Sequence, residues 1–265
     1  MVVRVEKDGA VWTVIHSRPE ARNAMDPDSA AALYDAFLAF DAEDSAHVAV
    51  FWGEGGAFCA GWDLKHASAL SGAEALDPFD FPENGEPPMA AMGPSRLELS
   101  KPVIAAVAGP AVAGGMELAI WADVRVMEES AFMGVYCRRW GVPLLDGGTI
   151  RLSRLIGHSH ALDLILTGRG VSSDEAKAMG LANRLVEPGL ALEKAIEMAE
   201  SLTVFPQLCM RADRTSSYEQ WGMSLTDALK NEYHHGGEVF KSGETHEGAT
   251  RFAEGKGRHG DFSDI

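Results

Sequence analysis

Cysteine is scarce. Cys59, Cys137 and Cys209 are widely spaced and form no CxxC pair, so neither a disulfide framework nor a zinc knuckle is expected, and a reducing compartment fits. Basic charge is short as well: 23 Lys and Arg stand against 39 Asp and Glu, a formal net charge of -16. Without a Lys/Arg cluster, general nucleic-acid binding and adhesion to anionic membrane are excluded. No window approaches the ~20 apolar residues of a membrane span. Met1 to Arg4 do not open a charged-then-apolar leader. A cytoplasmic protein without membrane partners is expected. Also missing are GxGxxG, GxxxxGK[ST] and GxSxG strings, which removes dinucleotide, P-loop and serine-hydrolase readings. His158 and His160, like His234 and His235, are badly spaced for one helix face, so no metal is expected.

What is present suits a substantial core: 265 residues, 46% of them hydrophobic. Val3 and Val5 alternate with charge, Lys7-Asp8-Gly9 offers a turn, and Val11 to Ile15 is a β-branched run, together a hairpin. Asp26-Pro27 is a helix start, followed by Leu33, Ala36, Phe37 and Phe40 on one face. Short apolar strands are expected at Val48–Trp52, Val103–Val107 and Val124–Met127, and their alternation with helices predicts an α/β fold. Between Ser68 and Pro94 periodicity fails and five prolines crowd in, reading as a long loop, either a surface excursion or a lid. From Ser172 the pattern is helical, with Ser172 and Glu175 at capping-box spacing and Gly180 as a stop. Helices are expected at Leu190–Leu202 and Leu225–Phe240. The division expected is an α/β core over residues 1–188 and a helical region over 189–265.

Two glycine-bearing segments each follow a predicted strand. One runs Gly53-Glu54-Gly55-Gly56-Ala57-Phe58-Cys59-Ala60-Gly61-Trp62-Asp63-Leu64, the other Lys101-Pro102-Val103-Ile104-Ala105-Ala106-Val107-Ala108-Gly109-Pro110-Ala111-Val112-Ala113-Gly114-Gly115-Met116-Glu117-Leu118. Small residues leave main-chain N–H groups open, and a helix start leaves its first N–H groups unpaired. Two such donors meeting on one oxygen would form an oxyanion hole. Together the segments resemble those of the enoyl-CoA hydratase/isomerase, or crotonase, family. The resemblance extends to Arg18-Pro19-Glu20-Ala21-Arg22-Asn23-Ala24, to Arg138 through Leu152, and to Glu247-Gly248-Ala249-Thr250-Arg251-Phe252.

The resemblance implies a crotonase-like spiral of ββα units with a C-terminal helical region for trimerisation, giving a homotrimer or a dimer of trimers. It implies an acyl-CoA thioester as substrate, coenzyme A being part of that substrate, and no separate cofactor. Carried over by position, the oxyanion donors are the N–H groups of Ala60 and Gly114. Glu117 aligns with one hydratase glutamate; a carboxyl in a partly apolar pocket exchanges protons near neutrality. The second glutamate is replaced by Cys137, whose thiol cannot hold and protonate water as a carboxylate does. Asp146 is either the substitute carboxylate or a turn residue before Gly147. The substrate is expected to meet Cys59, Trp62, Asp63, Leu64, Lys65, Cys137 and Phe252, with Arg22, Lys65 and Lys256 as basic groups for the phosphates. Hydratase-type lyase chemistry through an enolate is the expected activity. Double-bond isomerisation, other crotonase chemistry and non-catalytic acyl-CoA binding are the alternatives.

Overall fold

The computed structural model describes residues 2–69, 72–83, 87–257 and 259. Strands β1 (Val3–Asp8) and β2 (Val11–His16) form the hairpin, Asp8 opposite Val11, so Lys7 and Asp8 belong to the strand and Gly9 and Ala10 make the turn. Helix α1 (Pro27–Ala42) starts where expected: the Asp26 side chain accepts from Ser29 N at 2.8 Å, satisfying one of the first-turn donors. Its far end is closed by buried Lys101, whose Nζ donates to Phe40 O (3.1 Å) and Glu43 O (2.6 Å).

Strand β3 (Val48–Gly53) is followed by the short helix α2 (Leu64–Ala67), then β4 (Val103–Val107), β5 (Pro110–Val112), α3 (Gly114–Trp121), β6 (Val124–Glu128) and β7 (Phe132–Gly134). Next come α4 (Gly148–Thr167), β8 (Gly170–Ser172), α5 (Ser173–Met179), β9 (Arg184–Val186) and α6 (Ala191–Thr203). One sheet runs β1-β2-β3-β4-β6-β9, parallel from β2 onward, and a smaller one runs β5-β7-β8. Strand β4 is buried at every position, which explains its unbroken apolar run: a parallel strand covered on both faces has no polar side. β2 is buried throughout as well, although it carries Thr13 and His16. β9 interrupts the stretch from Ser172 onward that was expected to be helical, and β8 ends on its first residue. At three residues each they are too short to show period-two alternation.

Aromatic packing fixes what stands above the sheet. Phe37 of α1 meets Phe51 of β3 edge-on (centroids 5.6 Å) and Trp121 of α3 (4.8 Å), and Phe51 meets Phe58 (5.0 Å). Helix α1, the loop after β3 and helix α3 are therefore locked to one cluster, and edge-to-face pairs add about 0.5–1.5 kcal/mol each beyond their burial.

The chain separates into two compact units, residues 1–199 and 200–265. The second holds α7 (Gln207–Glu219), α8 (Leu225–Ser242) and α9 (Glu244–Ala253). The Glu244 carboxylate closes the start of α7, accepting from Leu208 N (3.2 Å) and Cys209 N (2.7 Å). Helices α7 and α9 were not foreseen as separate elements. Among the described residues no helix is long and apolar enough to cross a membrane.

Candidate active site

The two glycine segments meet because the chain after β3 pairs with β5. Phe58 N donates to Pro110 O (3.0 Å), and Val112 N donates to Cys59 O (3.0 Å). The approach is tight: a Cβ on Gly115 would run into Cys59 O, and one on Gly61 would stand 2.7 Å from Ala113 Cβ and 3.1 Å from Gly114 N. Gly61 also has φ +93°, in the left-handed region where L side chains are strained.

One expectation fails here. The Ala60 N–H donates to Arg22 O at 3.0 Å, so it is already spent on the main chain and cannot serve as an oxyanion donor. Beyond the turn at Gly61, the N–H of Trp62 has no acceptor among the described residues, nor do those of Gly114 and Gly115 at the start of α3. The signal that would have placed the donor after Gly61 is the glycine itself, since a left-handed residue redirects the peptide that follows it. Ala113, just ahead of α3, sits at φ 55°, ψ -127°, a sparsely populated conformation for a non-glycine residue that costs of order 1–3 kcal/mol. It is held by Ala113 N to Gly134 O (2.8 Å) and by Met116 N to Ala113 O (3.0 Å).

These segments open on a cavity of about 290 Å³. Ala60, Trp62, Leu64, Gly114, Glu117, Cys137 and Asp146 all line it, so seven of the residues singled out in the sequence come together. Glu117 is 3% exposed. Its Oε1 accepts from Gly148 N (2.8 Å) and Asp146 N (3.0 Å), while Oε2 has no partner among the described residues. Burial, reinforced by the Asp146 charge, pushes this carboxyl up to about 8, against the pull of the two N–H donors. A Cβ at Gly148 would lie 2.8 Å from Oε1, so a larger residue there would displace the carboxylate from this position.

Asp146 is not a bare turn residue. Its Oδ1 accepts from Met92 N (3.0 Å) and Ser95 Oγ (2.5 Å), its Oδ2 has no partner among the described residues, and burial raises its pKa. Cys137 is 5% exposed, with its thiol raised by burial and then by Glu117. The proline-rich segment contributes Leu76, Phe79, Ala91 and Met92 to the cavity wall, and Arg96 Nη1 donates to Phe79 O (2.7 Å). Met92 and Ser95 were missed in the sequence, where nothing marks them as partners of a distant carboxyl, and Gly148 and Arg151 fell within the Arg138–Leu152 resemblance without being given a role.

The remaining expected residues lie elsewhere. Cys59 is fully buried with its thiol pushed up to about 12, and it accepts from Gly61 N (3.4 Å). Asp63 caps α2 through Lys65 N (3.0 Å) and pairs with Arg18 (3.2 Å). Arg22 and Lys65 are exposed. Phe252, on α9, and Lys256 are exposed members of the second unit. Among the described residues no group of three or more His, Cys, Asp or Glu side chains could hold a metal ion.

A buried carboxyl poised near neutrality beside unpaired main-chain donors is the apparatus of a proton-transfer enzyme. A family model described as enoyl-CoA hydratase/isomerase matches residues 6–263, and the chain belongs to that family. It is 37% identical over 257 residues to the enoyl-CoA hydratase EchA19 of Mycobacterium tuberculosis, covering 94% of this chain and 92% of that one. It is 31% identical over 264 residues to a carnitinyl-CoA dehydratase of Salmonella arizonae, covering 95% of each. The crystal structure of enoyl-CoA hydratase EchA1 from Mycobacterium marinum superposes with a TM-score of 0.86 at 33% identity, over 96% of both chains. The α/β fold is thus the crotonase fold.

Proposed function

We propose that this protein is an enoyl-CoA hydratase-type lyase, adding water across, or eliminating it to form, the 2,3-double bond of an acyl-CoA thioester. The carrying observation is Glu117, a buried carboxyl raised to about 8 with one oxygen free on the cavity that the unpaired N–H groups share. Asp146, as the carboxylate, takes a proton from water as the water oxygen adds to the β carbon, electrons shift onto the thioester oxygen, and Glu117 gives its proton to the α carbon. The N–H groups of Trp62 and Gly114 stabilise the enolate oxygen; one such donor is worth roughly 3–4 kcal/mol of barrier. Glu117 carries the proton, and Asp146, with Oδ2 free, is its partner in place of the carboxylate missing at Cys137.

The pair then holds one proton between its two carboxyls near neutral pH, one group acting as base and the other as acid. Activity falls as pH rises through about 8, where Glu117 loses its proton. Isomerisation of a double bond is the second reading, favoured by Cys137 in the cavity wall, since one carboxyl suffices to shuttle a proton. Coenzyme A belongs to the substrate, with Arg22, Lys65 and Lys256 as candidates for its phosphates. Residues 189–265 serve assembly into a trimer or dimer of trimers, and the enzyme works in the cytoplasm.

The test is to follow the absorbance of the conjugated thioester with crotonyl-CoA and longer 2-enoyl- and 3-enoyl-CoAs. Turnover that Glu117→Gln lowers by about 10²–10⁴-fold is expected. Binding without turnover across the panel would overturn the catalytic reading.

A further inference from the structure

Asp146 is fastened through three of its groups to three different parts of the chain. Its N–H goes to Glu117 on α3 (3.0 Å), its carbonyl accepts from Arg151 Nη1 on α4 (2.9 Å), and its Oδ1 accepts from Met92 N and Ser95 Oγ. Arg151 closes the ring, since its Nη2 donates to Ser95 O at 2.8 Å. Ser95 is 1% exposed, so water does not compete for its hydroxyl. An O–H to carboxylate contact of 2.5 Å belongs to the short, charge-assisted kind, which is about twice as strong as a bond between neutral groups. Such a bond favours the anion over the acid.

We propose that Ser95 is a positioning residue for proton transfer: its hydroxyl holds Asp146 as the carboxylate of the pair and so leaves the shared proton on Glu117. This rests on the reading of Glu117 as proton carrier. The ionisable groups facing Asp146 are Glu117 from α3, Arg151 from α4, Arg96 from the turn Pro94–Arg96, and the Cys59 thiol. Cys137 faces Glu117. Burial raises Asp146, and the Ser95 hydroxyl stands first among the groups pulling it back, ahead of Met92 N–H, Arg96 and Arg151. Glu117 has no hydroxyl donor, only the two N–H groups. In their hydrogen bonding the two carboxyls therefore differ at Ser95: Asp146 accepts from a hydroxyl and an N–H, Glu117 from two N–H groups.

Removing the hydroxyl raises the proton affinity of Asp146. In a coupled pair this moves the first deprotonation upward and leaves the last near its old value or above it. The experiment is the pH dependence of kcat/KM for the intact enzyme and for Ser95→Ala, Ser95→Thr and Ser95→Cys. In Ser95→Ala the acid limb is expected to move up by about one pH unit, a tenfold gain in proton affinity for one lost charge-assisted hydrogen bond. The alkaline limb near 8 does not move down. Threonine, which keeps the hydroxyl, restores the wild-type profile, and Ser95→Cys, a weak donor that fills the same space, shifts the limb in the same direction. An acid limb unmoved in both Ser95→Ala and Ser95→Cys, with activity lowered evenly at every pH, would make Ser95 purely structural and overturn the inference. Retained activity in Glu117→Gln would instead remove the proton-carrier reading on which it rests, so the two failures are separable.

Discussion

The main chain of Asp146 holds the Glu117 carboxyl, N to Oε1 at 3.0 Å, while the charge of the Asp146 side chain raises that carboxyl's pKa. One residue thus orients the Glu117 carboxyl and shifts its pKa. Rotamer freedom at Glu117 is removed by a backbone contact that a substitution at Asp146 leaves in place, so Asp146→Asn separates electrostatics from geometry.

The raised pKa has a stability counterpart. The folded protein keeps the Glu117 proton up to about 8, whereas the unfolded chain releases it near 4.5, so between these values the folded state binds more protons. Stability is therefore lost as pH rises through that window, at up to about 1.4 kcal/mol per pH unit, and levels off above it. Glu117→Gln removes this dependence. Calorimetry from pH 4 to 9 is expected to show the variant's advantage in Tm growing between about pH 5 and 8; a pH-independent difference would contradict the shift.

Gly61→Ala forces a Cβ to within 2.7 Å of Ala113 Cβ and 3.1 Å of Gly114 N, at a backbone φ of +93°. The two donor segments must separate. A fall in kcat of about 10²-fold, the scale of one lost oxyanion donor, is expected with a much smaller change in KM. Wild-type kcat in the variant would mean that these segments do not act on the reacting oxygen.

Cys137 lines the cavity but is a poor nucleophile, because burial and Glu117 both disfavour its thiolate. Alkylation by iodoacetamide at pH 8 is expected to run about tenfold or more slower than for a free thiol, and Cys137→Ser to keep its turnover. Rapid labelling with loss of activity would give the thiol a chemical role.

On α8, Leu225, Leu229, Tyr233 and Phe240 are 77%, 55%, 84% and 72% exposed and recur at steps that place them on one side of the helix. A large exposed apolar strip marks an association surface. Light scattering at micromolar concentration is expected to give an oligomer, and Leu229→Asp with Tyr233→Asp to dissociate it. A monomeric wild-type protein would remove assembly from the role of residues 189–265.

The parts legible in the sequence were those governed by local rules. Asp26-Pro27 announced α1, Ser172 and Glu175 announced α5, and the apolar runs gave β3, β4 and β6. The position of Glu117 on the cavity wall was legible through the motif around it. The identity of the first-loop donor was not, because hydrogen bonding of the Ala60 N–H to Arg22 joins segments 38 positions apart. Nor were the ties of Asp146 to Met92 and Ser95, more than 50 positions away. Long-range polar contacts leave no period and no composition to read, whereas caps and buried strands do.

The wall of the cavity and the residues proposed for its acid–base chemistry sit on separable pieces of chain. Leu76 and Phe79 come from the proline-rich excursion, while Glu117 and Gly114 stand on α3 and Asp146 just ahead of α4. The excursion is thus a natural cassette for transplantation: exchanging the stretch up to Ala90 would recontour the cavity without replacing Glu117, Gly114 or Asp146. The downstream seam of such a chimera is fixed by Met92, Ser95 and Arg96, since the first two anchor Asp146 and the third clasps Phe79 O.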